Sequence, residues 1–446
     1  MAIELISTNQ VATYAVQDGD TVTLLPGVVM TTAAGDPVFE ADPGGDNSID
    51  DTRITVMGTI ITEDMSHDFF FSTTTAHDNL FTISSTGVIN AANDAVAFRT
   101  GNNNTILNYG EVVSGDYAFY FRNGENNRVE NHGLLTTTPG TTEHVAIAMN
   151  WVSSSASDYG SIVNTGTISG THGASLDFAL VGSRSSVDIL NSGIITTPSE
   201  FAVLTSVYAD TLTNSGEITG NVTMEAGTDT LTNSGVINGK VTLDDNNDTY
   251  RGVGQGTVSE GVFGGNGEDT LIGSDARDKL FGESGNDNLN GNSGADDLFG
   301  AGNDDTLRGG AGDDFINGGT GVDFILGGSG DDEIIGGTGR DIMRGNGGQD
   351  AFVFQSVADS LTTAGNTDVI IGFERGVDVI DLDGLAAGDL SFIGTGAFTG
   401  VGDELRAVVL ANGTMSVQVD TDGDTVADFR LYLRNIDTVD AGDFIL

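Results

Sequence analysis

The sequence predicts an all-β chain wound as a parallel β-solenoid: a β-helix continuing into a parallel β-roll, closed by a carboxy-terminal β-rich cap. Three observations predict it. Ten nonapeptides run in unbroken register from Gly264 to Val353, a looser Asn-x-Gly repeat fills residues 46–243, and helical periodicity is almost absent.

Composition narrows the function classes. At 446 residues the chain is longer than one usual domain. A net charge of −49 with only 16 basic residues repels nucleic acid and anionic membranes and attracts cations, so nucleic-acid binding is set aside. With no cysteine, a secreted form needs a staple other than disulfides. The opening "MAIELISTNQVATYAVQDGD" lacks the basic start and apolar core of a Sec signal peptide. No apolar run approaches the ~20 residues of a membrane helix, so a soluble chain without membrane insertion is expected.

Residues 1–45, with "DTVTLLPGVVM", are expected to form an amino-terminal cap, because an open coil exposes strand edges and an apolar cross-section. Residues 46–243 repeat an apolar-x-Asn-x-Gly-x-apolar pattern, as in "LNYGEVVSG", "VENHGLLTT" and "LTNSGEITG". Each unit holds two or three short alternating runs between Asn/Gly corners and cannot bury its apolar face alone. Stacked coils can, so the repeat reads as a parallel β-helix with its asparagines in a ladder; a β-sandwich with coincidental spacing is the competing reading. Phe69, Phe70 and Phe71 read as a cap or core strand. Residues 244–263 form a transition, foreshadowed by "GTDTL" from Gly227 to Leu231, where Asp229, like Asp248 after it, already sits two residues before an apolar or aromatic one.

Within residues 264–353 the first nonapeptide position is always glycine, and the sixth is always aspartate: Asp269, Asp278, Asp287, Asp296, Asp305, Asp314, Asp323, Asp332, Asp341 and Asp350. The eighth is always apolar. The fourth is glycine at Gly267, Gly285, Gly294, Gly312, Gly321, Gly330, Gly339 and Gly348, and departs at Ala276 and Asn303, where weaker sites are expected. Glycine permits φ > 0 and lets carbonyls point into the turn, the aspartate adds carboxylate oxygens, and the apolar residue two positions on faces inward. One nonapeptide is then half a coil, and each turn stacks on the turn two units later. Hard oxygen ligands in this number suit Ca²⁺ better than Mg²⁺. The segment holds 18 acidic and 5 basic residues, a charge that up to about eight divalent ions would neutralise.

The array resembles the calcium-binding nonapeptide of RTX (hemolysin-type) proteins. Residues 354–446, with "TDVIIGFERGVDVIDL", "DTDGDTVADFRL" and the terminal "DAGDFIL", resemble the carboxy-terminal region of serralysin-type RTX proteins. That resemblance implies a cap on the roll and an uncleaved type I secretion signal ending in Asp443, Phe444, Ile445 and Leu446, read by a type I secretion apparatus. "DTDGDTVAD", with Asp420, Asp422, Asp424 and Asp428, reads as a hairpin turn before a calcium loop, since its glycine is fourth and not sixth.

Enzyme signatures are missing. None of His67, His77, His132, His144 and His172 lies in HExxH, and no GxSxG elbow precedes a helix. A β-helix joined to RTX units is also similar to mannuronan epimerases and pectate-lyase-like enzymes, which need a base, an acid and a cation. Candidates for those roles are His67, Asp68, His77, Asp78, Arg99 and Arg122, but the Asp-Pro-His core is absent at Asp36-Pro37 and Asp42-Pro43. The expectation is therefore a secreted, non-enzymatic calcium-binding solenoid with a structural or adhesive role at the cell surface or in extracellular matrix. Its expected partners are calcium, itself, and cell-surface or matrix glycans. A uronate lyase or epimerase on the β-helix is the alternative.

Overall fold

The structure is a computed structural model that describes residues 3–11, 14–32, 39–41, 49–62, 70–72, 76–98, 101–121, 124–138, 145–149, 159–170, 178–182, 186–363, 365–386 and 388–446. The chain divides into two units: residues 1–244 with 258–260, and residues 245–257 with 261–446.

In the first unit the short alternating runs become strands that stack in parallel, one coil on the next. Thr105–Asn108 pairs with Asn127–Asn131, then Tyr159–Asn164, Ser186–Asn191, Thr211–Asn214 and Thr230–Asn233. A second face runs through Glu111–Ser114, Leu134–Thr137 and Thr167–Ser169, and a third through Val96–Phe98, Phe119–Phe121 and Val145–Met149. This is a parallel β-helix and not a sandwich. Inward residues such as Ile106, Val129, Ile162 and Leu212 fill the core. Residues 3–11 and 14–32 are coiled as well: Ile3–Ile6 pairs in parallel with Thr21–Leu24, and that strand with Arg53–Val56. The strand Phe70–Ser72 pairs with Val96–Phe98, whereas Phe69 lies outside the described residues.

The asparagines of the repeat form the expected ladder. Asn108, Asn131, Asn164, Asn191, Asn214 and Asn233 are buried, and each Nδ2 donates to the next Oδ1 at 2.7–2.8 Å. A shorter ladder joins Asn79, Asn104 and Asn127. Burying an amide is costly unless it is paired, and stacking identical corners pairs each with its neighbour. Asn191→Ala breaks two rungs, each worth roughly 0.5–1.5 kcal/mol net, while Asn164 Nδ2 keeps the Ile194 carbonyl and Asn214 Oδ1 the Gly216 amide. Chemical denaturation of the first unit should report a loss of about 1–3 kcal/mol, and an unchanged midpoint would contradict the ladder's role.

In the second unit alternate nonapeptides build opposite sheets. Leu289, Leu307, Ile325 and Met343 are in register on one, and Leu280, Leu298, Ile316, Ile334 and Phe352 on the other. The offset of 18 residues makes two nonapeptides one coil, and these eighth-position side chains are fully buried. The cap begins where Asp368–Ile371 pairs with the roll strand Ile342–Gly347 and with Phe429–Arg434. Glu404–Val409, Met415–Asp420 and Phe429–Arg434 then form an antiparallel meander. Asp420 and Asp428 stitch the tight connection between its last two strands by accepting from Gly423, Thr425 and Thr421 amides, so the segment is a hairpin turn. The same turn brings carboxylate oxygens of Asp420, Asp422 and Asp428 within 4.8 Å of one another. The final strand Phe444–Ile445 pairs with Val379–Asp381, and the buried Asp443 meets Arg375 Nε at 3.3 Å.

Candidate metal centre

The aspartates form two columns in the second unit. In one, each backbone N–H donates to the Oδ1 of the next coil's aspartate, from Asp248 to Asp269, Asp287, Asp305, Asp323, Asp341 and Asp368. In the other, Asp278 leads to Asp296, Asp314, Asp332, Asp350 and Asp378. One oxygen of each carboxylate thus stitches coil to coil. The other oxygen, Oδ2, is buried without a hydrogen-bond partner at Asp269, Asp287, Asp296, Asp305, Asp314, Asp323, Asp332, Asp341, Asp350 and Asp368.

At six of these aspartates, Asp269, Asp296, Asp305, Asp314, Asp323 and Asp332, Oδ2 faces a carbonyl. A Cβ placed on Gly309 would meet Asp314 Oδ2 and lie 2.6 Å from the Gly327 carbonyl oxygen; at Gly318 the same point faces Asp323 Oδ2 and, again at 2.6 Å, the Gly336 carbonyl. Equivalent pairs are Asp269 with Gly282, Asp296 with Gly309, Asp305 with Gly318 and Asp332 with Gly345. Buried oxygens converging on one point without a donor are the arrangement a hard cation satisfies. The residues present therefore fit calcium, with the carboxylate and the first-position carbonyl as ligands. Spacing alone singled out the fourth-position glycines, whose carbonyls point along the column: Gly312 O, for example, faces the point where a Cβ on Gly330 would stand.

The turns are held open by left-handed backbone. The second position has φ of +70° to +79° at the non-glycines Glu283, Asn292, Ala301 and Asn346, a conformation costing of order 1–3 kcal/mol at such residues. Asn303 also adopts it at the fourth position, standing in for glycine with φ +79°, whereas Ala276 does not. The nonapeptide containing Ala276 differs further. Asp278 Oδ2 accepts from Ser274 N at 2.6 Å and Ser274 Oγ at 3.0 Å, so this predicted ligand already has two donors.

Two column members escaped the nonapeptide count. Asp368 and Asp378 lie 27 and 28 residues beyond Asp341 and Asp350, where the step within the array is 18. Their signal is the aspartate followed two residues later by a buried apolar side chain, Ile370 and Ile380, as in every repeat.

Burial raises these carboxyls, with neighbouring aspartates adding to the effect at most of them. Asp269, Asp287, Asp314, Asp323 and Asp350 are pushed up to about 6, Asp296, Asp305 and Asp332 to about 7, and Asp341 to about 8. A carboxyl raised above its unfolded value of ~3.9 stabilises the metal-free coil fully below that pH, and the contribution is lost as pH rises through the folded value. The metal-free roll should therefore be more resistant to denaturant at pH 5 than at pH 8. Calcium competes with those protons, so its binding at pH 7 should release protons into a weakly buffered solution. Binding without proton release would contradict the raised carboxyls.

Of the catalytic candidates, His77 and Asp78 are among the described residues. His77 Nδ1 accepts from Asn102 N at 3.0 Å and Asp78 Oδ1 from Asn103 Nδ2 at 3.0 Å, so both serve a coil corner. His67, Asp68, Arg99, Arg122, Asp36-Pro37 and Asp42-Pro43 lie outside the described residues.

Fold and site define a class: a parallel β-solenoid whose coils are joined by stacked, cation-fitting aspartates. Comparison with known families gives the class its content. Residues 263–298 match the RTX calcium-binding nonapeptide repeat (4 copies), and residues 307–446 match the peptidase M10 serralysin C terminal family. The chain thus carries RTX calcium-binding repeats followed by a serralysin-type carboxy-terminal region. No curated protein matches it. Among solved structures it is similar to the AlgE6R3 subunit of the Azotobacter vinelandii mannuronan C5-epimerase, 28% identical over 32% of this chain and 79% of that one. The TM-score of that likeness is 0.28, too low to bear on fold or function.

Proposed function

We propose that this protein is secreted, folds on meeting extracellular calcium, and serves as a rigid structural or adhesive element at the cell surface or in extracellular matrix. The observation that carries the proposal is the pair of aspartate columns, whose unpartnered buried oxygens make the roll dependent on a cation at concentrations found outside cells. Extracellular calcium modules bind at ~10⁻⁴ to 10⁻³ M, so the array is unfolded where calcium is scarce, the state in which a type I transporter accepts a chain. The export signal lies in the last residues, Asp443 to Leu446.

The first unit supports display over catalysis. Its strands repeat at about 4.8 Å from coil to coil, giving long faces suited to lateral packing or to a repeating glycan, and His77 and Asp78 are engaged in a corner. Purified protein with calcium is expected to associate with itself, with cells or with matrix glycans, to release on chelation, and to leave alginate and pectate unchanged. A chain lacking Asp443 to Leu446 should stay inside the producing cell. Turnover of a polyuronate abolished by His77→Ala would replace this reading with the enzymatic one.

A further inference from the structure

We infer that nonapeptide 273–281 takes no calcium, because Ser274 already supplies two donors to the Asp278 carboxylate that faces the Gly291 carbonyl, and that this serine clasp holds the head of its column folded in calcium's absence. The inference rests on the reading of the open turns as calcium sites.

The contrast is internal to the array. In nine nonapeptides the second residue is left-handed, whether glycine or, as at Glu283 and Ala301, not; Ser274 alone is not. Where that residue is left-handed, its amide is absent from the partners of the aspartate four residues on. At Ser274 the amide and the hydroxyl both donate to Asp278 Oδ2, and Ala276 N donates to Ser274 Oγ at 3.0 Å, fixing the hydroxyl's orientation. Two donors supply the partial positive charge that an ion supplies elsewhere. A cation at Asp278 would have to displace both.

The same three bonds recur in the first unit. Ser206 N and Oγ donate to Asp210 Oδ2 at 2.7 and 2.9 Å, and Tyr208 N donates to Ser206 Oγ at 3.1 Å. The surrounding sequences, "SVYAD" and "SDARD", share only the serine, the aspartate and one alanine out of register. Position in the column is also shared. Asp278 is the first aspartate of its column, and Asp210 precedes Asp229, whose Oδ1 accepts its amide at 2.7 Å. A head coil without an unpaired carboxylate is free of the repulsion that opens the others when calcium is absent, and its amide is already set to receive the next aspartate: Asp278 N lies 2.8 Å from Asp296 Oδ1. Calcium-loaded coils then add to a preformed edge, as stacked repeats do.

The test counts ions on the full-length chain by native mass spectrometry across a calcium titration. Asp278→Asn should bind as many calcium ions as wild type, Asp314→Asn at least one fewer, and Ser274→Gly with Ala276→Gly one more. Hydrogen exchange of wild type in chelator gives a readout independent of any variant: the amides of Ser274 and Ala276 should exchange at least tenfold more slowly than those of Gly310 and Gly312. Loss of an ion in Asp278→Asn, or equal exchange at the two turns, overturns the clasp while leaving calcium binding intact. A wild-type chain that binds no calcium overturns the underlying reading, and the clasp with it.

Discussion

Removing calcium from the folded protein with a chelator should collapse residues 282–353, with loss of most of their β-sheet circular dichroism and of amide protection, and returning calcium should restore both. The cause is electrostatic. Every sixth-position aspartate of the array except Asp278 buries an Oδ2 atom that has no donor, and the only bases in the array are Arg277, Lys279, Arg308, Arg340 and Arg344. Arg277 and Lys279 are both drawn to the outward Asp297 and not to the columns. Without a cation the ionised columns are strongly unfavourable, so binding energy is folding energy here. The first unit is held by asparagine ladders that carry no charge, so residues 211–233 should keep their protection in chelator. A spectrum indifferent to chelator would contradict the account.

The second large effect comes from Asp314→Ala combined with Asp332→Ala. These residues are adjacent in one column, joined by Asp314 N to Asp332 Oδ1 at 3.0 Å, and their Oδ2 atoms face the Gly327 and Gly345 carbonyls. The pair of substitutions removes two carboxylate–carbonyl sites and two amide acceptors. Each ion lost destabilises the roll by about 2.7 kcal/mol at calcium a hundredfold above Kd. Because coils support only their neighbours, the damage should stay local: hydrogen exchange should rise across residues 296–353 and remain unchanged at residues 211–233. Uniform destabilisation of the whole chain would mean that the columns are not the units of stability.

Much of this was legible in the sequence because a solenoid repeats one local solution. The invariant aspartate and the apolar residue two positions later gave the half-coil, and the 18-residue register of Leu289 on Leu307 follows from it. The Asn-x-Gly corners foretold a ladder whose asparagines do pair one to the next. What escaped was set by backbone dihedrals and not by residue identity. Glu283 and Ala301 adopt the left-handed conformation that their side chains disfavour, and Ser274 at the same position does not; no spacing rule separates them. The carbonyl facing each carboxylate comes from the following coil, 13 residues after its aspartate, as Gly327 stands to Asp314, a relation visible only once coils are stacked. Asp368 and Asp378 were hidden by longer loops between coils, although each keeps the repeat's aspartate and inward isoleucine.

The claim that everything else depends on is that cations lie between successive open turns. An anomalous difference map from calcium-grown crystals, collected at a wavelength where calcium scatters anomalously, tests it most directly. The account predicts two rows of peaks along the roll, each between an aspartate Oδ2 and the first-position glycine carbonyl of the next coil, as between Asp314 and Gly327, with no peak at Asp278. Empty turns at Asp296, Asp305, Asp314 and Asp323 in crystals saturated with calcium would contradict it.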